Sequence, residues 1–381
     1  MPKEKHNLPL YIGGFMGPFG ATLVLPMFPE LRTTFTTSTE VIGWTFTAYL
    51  LPFAILLLIS GTLGERWGRK RTVRGTYLLY AIASLLCALA PSLELFLIGR
   101  SLQGIANAFI TPLLLSGLAE RNPEKKFGSK VGIYSSFQAL GMGMAPIIGG
   151  ISADTNWRAA FWGTVFVSAI LSLFPPEGGP RIDANMPNLK DLLHRKVITI
   201  GAATFIAAAG PMGMNVLVAV VARDQFNVSG SNAGLILVGG AISSFLLGPI
   251  WGEKVDKLGF HKSSISAAIA LAFFAGLIAF ANGPLSLGIL WFMAGGAIGC
   301  MSVVLQALGT TAIPNNRGGS LSFILSFRFL GVGLWPIIWI PVINRSFTSA
   351  VLAASSLGLI AAYLLFINNP RYRLQTEQRK S

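Results

Sequence analysis

The chain has 381 residues, of which 52% are hydrophobic and only 12% charged, and it carries a net charge of +14. A soluble domain is roughly one quarter charged, and a single core cannot hide this much apolar surface from water, so the composition excludes a soluble globular protein and requires a bilayer as outer solvent. A basic balance of this size would suggest nucleic acid in a soluble protein, but its distribution along this chain gives another origin.

A membrane-spanning helix needs ~20 mainly apolar residues, because each residue rises ~1.5 Å through ~30 Å of hydrocarbon. The start, MPKEKHNLPLYIGG, shows no small-residue cleavage site after a short apolar core and reads as a polar tail entering the first span. In chain order, the first half predicts spans over 9–31, 41–63, 72–90, 95–118, 130–152 and 157–174. The second half predicts spans over 197–221, 232–252, 263–281, 285–310, 320–341 and 349–368. Between them, residues 175–196 (PPEGGPRIDANMPNLKDLLHRK) form the longest polar stretch. The expected organisation is a six-helix bundle over 1–174, a cytoplasmic linker over 175–196, a second bundle over 197–368 and a cytoplasmic tail over 369–381. Twelve spans use ~240 residues, which leaves short loops and no room for a soluble catalytic domain.

Twelve spans put both ends on one side. With the N-terminus cytoplasmic, 23 of the 29 Lys and Arg fall on cytoplasmic segments. The outer segments carry Arg32, Arg158, Arg223 and Arg345, while Arg100 and Arg328 lie within spans. Lysine and arginine stay on the cytoplasmic side during insertion, so this bias fixes an orientation and accounts for the net charge without nucleic acid.

The halves repeat each other. Gly61, Glu65, Arg66 and Gly68 match Gly252, Asp256, Lys257 and Gly259 at an offset of 191, and Gly141, Gly143 and Pro146 match Gly331, Gly333 and Pro336 at 190. Two nearly equal offsets in separate segments indicate an internal duplication. Parallel repeats of this kind are one transporter design, with the substrate site near the midplane.

The loop Gly61-Thr-Leu-Gly-Glu65-Arg66-Trp-Gly68-Arg69-Lys70-Arg71 resembles G-x-L-x-D-R-x-G-R-K, the hallmark loop of the major facilitator superfamily. With the duplication, the resemblance extends over nearly the whole chain. It implies an all-α membrane fold of twelve helices in two pseudo-symmetric bundles around a central cavity, and it implies transport, not catalysis. It further implies a conformational latch made by Gly61, Glu65, Arg66, Gly68 and Arg69, with Asp256 in the second repeat. Glu65 replaces the usual Asp, which keeps the charge and lengthens the reach. The arginines alone also serve as topology signals.

Three further elements look like those of drug–proton antiporters within that family. Arg100-Ser-Leu-Gln103-Gly104 resembles R-x-x-Q-G, whose arginine the resemblance links to proton coupling; an arginine snorkelling to the outer interface is the alternative. Gly141, Ala145, Pro146, Gly149 and Gly150 resemble G-x-x-x-G-P-x-x-G-G, a mark of exporters, with Ala145 in place of one glycine; close helix packing is the alternative. Gly20 followed by Pro26-Met-Phe-Pro29-Glu30 resembles G-x5-P-x-x-P. Glu30 is the one carboxylate read as lying inside a span. It is either the titrating acid of the coupling step or an interfacial, permanently ionised neighbour of Arg32.

Arg328 lies about eight residues into the eleventh span and aligns with Gln138 at offset 190. Arg328, Gln138, Asn107 and Trp335 are the candidate substrate contacts, and pairing of Arg328 with backbone carbonyls is its structural alternative. No phosphate loop, H-E-x-x-H or Cys/His metal spacing is present; Cys87 and Cys300 sit in apolar runs and the three histidines in polar segments. No cofactor or metal is therefore expected, and ATP is not the direct energy source. The sequence predicts a monomeric plasma-membrane transporter, of prokaryotic style, that exchanges a small amphipathic molecule for protons. Uptake, exchange or flipping of an organic anion or anionic lipid on the intramembrane arginines is the competing reading. A membrane-embedded enzyme or a receptor finds no support in the sequence, and the duplicated loop argues against both.

Overall fold

The structure, a computed structural model, describes residues 7–121, 124–180, 195–258, 260–312 and 317–367. Among these residues it is helical, with no strand. The helices are α1 (Leu8–Thr22), α2 (Phe28–Thr34), α3 (Thr39–Trp67), α4 (Arg69–Leu89), α5 (Leu93–Arg121), α6 (Glu124–Thr155) and α7 (Arg158–Leu171). They continue as α8 (Arg195–Ala209), α9 (Asn215–Val220), α10 (Gly230–Leu258), α11 (Phe260–Gly276), α12 (Pro284–Ala312), α13 (Arg317–Ile343) and α14 (Phe347–Ile367). Helix occupies each of the twelve apolar segments read from the sequence. Nine helical stretches among the described residues are long and apolar enough to cross a bilayer. Much of the linker and the whole of the tail lie outside the described residues.

Local chemistry sets the helix ends. The Ser38 hydroxyl accepts the Val41 amide at 3.4 Å and Glu40 sits in the first turn of α3, a side-chain cap with a favourable charge at the positive end of the helix dipole. Gly68 ends α3 at φ +94°, a backbone region L side chains avoid, and α4 begins at the next residue. The first and seventh expected spans are broken helices. α1 gives way to a 3₁₀ turn over Leu25–Met27 before α2, where Pro26 lacks an N–H donor and Pro29 suits a first turn. α8 stops at Ala209, Pro211–Gly213 form a 3₁₀ turn, and α9 runs into a π turn over Val221–Gln225.

The chain forms two compact units, one of residues 1–187 with 228–235, the other of 188–227 with 236–381. In the second, Val197, Ile200, Leu271, Met301, Ile324 and Leu365 build a closed apolar core. The outward faces of both units stay apolar: Ile82, Phe166, Phe273 and Tyr363 are all exposed. Such surface is stable against lipid and not against water.

Candidate functional site

Arg100 of α5 is fully buried and held on several sides. Its Nη1 donates to the Gly20 carbonyl at 2.9 Å and to Gln103 Oε1 at 2.8 Å, and its Nε donates to the Thr45 carbonyl at 3.0 Å. Nη2 reaches the Ala21 carbonyl at 3.4 Å, and the guanidinium lies 4.5 Å from the centre of the Tyr49 ring. Gln103 passes the chain of bonds on to the Ser84 hydroxyl at 2.8 Å, which donates to the Tyr80 carbonyl. A guanidinium with no exposed surface does not snorkel. It ties the frayed end of α1 to α3, α4 and α5, and the Gly20 carbonyl is among those the break in the first span leaves without a helical partner. Glu30 is not among its partners: it lies half-buried in the first turn of α2, while Arg32 donates to the Thr39 hydroxyl at 2.6 Å.

Around Arg100, α1 is notched. A Cβ at Gly13 or Gly20 would run into the hydroxyl of Tyr77 or Tyr80, one at Gly14 into the Tyr134 ring at 2.7 Å, and one at Gly17 into Asn107 Oδ1 at 2.6 Å. Tyr49 donates its hydroxyl to the Gly17 carbonyl at 3.1 Å. The Tyr77 hydroxyl and Asn107 Oδ1 are buried without a hydrogen-bond partner among the described residues. The sequence pointed to Asn107 and, as an aromatic near a cavity, to Tyr49, but not to Tyr77, Tyr80 and Tyr134. Their signal was four phenols (Tyr49, Tyr77, Tyr80 and Tyr134) within otherwise apolar spans.

In the hallmark loop the acid and an arginine meet, and the partner found for Glu65 is Arg69. Arg69 Nε and Nη2 grip the two carboxylate oxygens at 2.7 and 2.9 Å, and its Nη1 reaches the Glu177 carbonyl at 3.2 Å. Arg69 is fully buried, whereas Arg66 is exposed. Gly61 lies against Pro112, and Gly68 lies beside Pro180. The side chain of Asp256 falls outside the described residues. Glu65→Gln halves the charge-assisted grip and leaves Arg69 buried beside a neutral amide. The expected loss is about 1–3 kcal/mol, with normal insertion and slowed turnover. Protein level against initial transport rate measures it, and an unchanged rate would remove the latch that the resemblance implies.

The motif on α6 is packed on two sides. Gly141 and Gly149 lie against the Phe15 and Leu23 carbonyls, and Gly150 lies against the Gly230 carbonyl at the start of α10. A Cβ at any of the three meets backbone, which explains why small residues stand there. Ala145 and Pro146 are buried, and Gly234 packs on the Pro146 carbonyl. Asp154, one turn beyond the motif, accepts the Gly230 and Ser231 amides at 2.6 and 2.8 Å and the Ser231 hydroxyl at 2.7 Å, so it caps α10.

In the second unit Arg328 is half-buried on α13, and its recorded contact is the Phe329 ring at 6.0 Å. Gln138 is half-buried on α6 in the first unit. Trp335 is fully buried and donates its indole N–H to the Gly210 carbonyl at 2.9 Å, and Trp339 donates to the Ala209 carbonyl at 2.6 Å. Gly20 and Gly210 are themselves 190 residues apart. The same repeat position therefore presents a carbonyl at each helix break, bound by an arginine in one unit and by a tryptophan in the other.

The sequence pattern of the Major Facilitator Superfamily matches residues 10–212 and again 200–381. The chain is 26% identical over 383 residues to the multidrug resistance protein MdtG of Enterobacter lignolyticus, covering 94% of this chain and 91% of that protein. It is 28% identical over 235 residues to the drug efflux pump JefA of Mycobacterium tuberculosis (61% of this chain, 44% of that protein). It is 30% identical over 190 residues to the uncharacterised transporter YvkA of Bacillus subtilis (48% and 43%). The chain thus spans less than half the length of JefA and YvkA. Among solved structures, the D-xylose–proton symporter superposes with a TM-score of 0.73 at 18% identity, covering 96% of this chain and 98% of that one. A mutant of the nucleoside transporter NupG superposes at 0.72 and 15%, covering 97% and 99%. At these identities the likeness is one of fold.

Proposed function

This chain belongs to the Major Facilitator Superfamily, and from that membership we propose that it is a secondary active transporter exporting a small amphipathic compound across the plasma membrane in exchange for protons. The observation that carries the reading is the α6 motif, whose Gly141, Gly149 and Gly150 sit against the backbone carbonyls of Phe15, Leu23 and Gly230. The likeness to MdtG over almost the whole chain supports the export direction. In this proposal the two halves alternate access to a midplane site, as parallel-repeat transporters do. Glu30 and Arg100 couple protons; Arg328, Gln138, Asn107 and Trp335 contact the substrate; and Glu65, Arg66 and Arg69, with Asp256, latch one state. The cation bias of 23 to 4 supports cytoplasmic termini, and the transporter works as a monomer.

The test is transport in proteoliposomes under an imposed pH gradient, with a pH-sensitive dye and a panel of cationic, neutral and anionic compounds. Substrate-dependent proton release, lost in Glu30→Gln, is the expected result. One observation favours a second reading, transport of an organic anion: Arg328 has no carboxylate partner among the described residues. Anion movement without proton movement, abolished by Arg328→Ala, would replace the first reading with that one.

A further inference from the structure

Bordering the hallmark loop at Gly68, the first unit has a hollow of about 580 Å³ where the start of α4 faces residues 177–180. Among the described residues its walls carry Lys70, Arg71 and Arg74 against a single carboxylate, Glu177. Lys70 is committed to that carboxylate at 3.1 Å. Arg74 lines the hollow and spends its Nε on the Ser172 carbonyl at 3.3 Å, which leaves both of its Nη groups without a hydrogen bond among the described residues. Arg71 is exposed and makes no hydrogen bond or ion pair among the described residues. The hollow thus holds two guanidinium groups that its own carboxylate does not neutralise.

The hollow also has an apolar exit. Arg71, Gly75, Leu78 and Ile82 follow one another at helical spacing, so they form one stripe along α4. Leu78 and Ile82 are 46% and 56% exposed. A Cβ on Gly75 would meet nothing within 4 Å, which leaves a groove in the stripe between the arginines and the leucine. Trp67, 54% exposed, stands at the rim as interfacial tryptophans do. A free phosphate ion would use the arginines and have no use for the stripe. A phospholipid uses both.

We propose that this hollow is a binding site for an anionic phospholipid, with its phosphate between Arg71 and Arg74 and an acyl chain lying over Gly75, Leu78 and Ile82. The site rests on the orientation proposed above, which puts it in the cytoplasmic leaflet, and not on the substrate or direction of transport. A lipid there lies beside Glu177, whose backbone carbonyl holds the latch arginine Arg69, so its occupancy reaches the hallmark loop.

The experiment is native mass spectrometry of the full chain titrated with phosphatidylglycerol, against phosphatidylcholine as the neutral reference. The double variant Arg71→Gln/Arg74→Gln is expected to weaken phosphatidylglycerol retention about thirtyfold, since two interfacial cations act on one headgroup. Gly75→Trp, which fills the groove without changing charge, is expected to weaken it as well. Neutralising Arg379 and Lys380 in the tail removes the same charge and is expected to leave retention unchanged. Equal retention in the double variant or in Gly75→Trp would overturn the site, as would an equal loss in the tail variant. Displacement of the lipid by inorganic phosphate alone would assign the arginines to the free ion instead. Lipid retention is read without transport, so a failed transport assay leaves this result standing, and the reverse holds.

Discussion

Arg100→Ala is expected to abolish transport and to destabilise the first unit by about 2–4 kcal/mol. The guanidinium holds the carbonyls of Gly20 and Thr45 and the amide of Gln103, all inside a fully buried cluster. Removing it strands buried acceptors, each costing ~1–3 kcal/mol. Part of that is offset, because the cation no longer has to be desolvated. Lysine at this position keeps the charge but offers one point donor in place of a fork that reaches two helices, so Arg100→Lys is expected to lie between wild type and alanine. Thermal melting in detergent reads the clamp, and proteoliposome transport with a pH dye reads the coupling. An unchanged melting midpoint in Arg100→Ala would remove the clamp. Substrate movement without proton release in a stable Arg100→Lys would isolate a coupling role.

Gly104→Ala is expected to cost about 3 kcal/mol or more, at the severe end of what one added methyl does in a packed interior. A Cβ there meets the Tyr49 carbonyl, with its carbon at 2.9 Å and the Tyr49 Cα at 3.2 Å. These are backbone atoms, so no rotamer change relieves the clash; α5 would have to back away from α3. That movement would also pull Arg100, one turn earlier on α5, from the Thr45 carbonyl. Gly75→Ala is the matched control. Its Cβ meets nothing, and alanine's better helix propensity should make the variant neutral or up to ~1 kcal/mol more stable. Detergent melting of the pair measures the contrast, and equal midpoints would refute it.

Much of this architecture was legible because hydropathy and charge act over twenty-residue lengths. The apolar runs marked the helices, and the hallmark loop and the R-x-x-Q-G pattern marked two places where buried charge is held. What escaped is pairing, which depends on which neighbour arrives in three dimensions. The loop pattern named Glu65, Arg66 and Arg69 together but not which of them touch; the ion pair between Glu65 and Arg69 follows from their spacing of one helical turn, where side chains share a face. Trp335 was legible as an aromatic inside a span, but not the bond by which its indole N–H closes the helix break at Gly210. The break itself had a signal, since Gly210-Pro211 is a strong stop, but the apolar residues around it made 197–221 read as one span. The cap of Asp154 on α10 joins positions 76 and 77 residues apart, a distance that no local pattern encodes.

The notches of α1 constrain the history of the sequence as much as its stability. Gly13 and Tyr77 occupy one space between them, as do Gly20 and Tyr80. The glycine of such a pair is not free to drift alone. A methyl cannot appear at position 13 while the phenol stands at 77, and a phenol cannot arrive at 77 unless the glycine is already there. The open path runs through phenylalanine: once the hydroxyl is gone, the nearest ring carbon lies 3.3 Å from the new methyl and only the flexible tip of Leu114 must give way. Along the first helix, a side chain can therefore enter at these glycines only after the paired hydroxyl has gone.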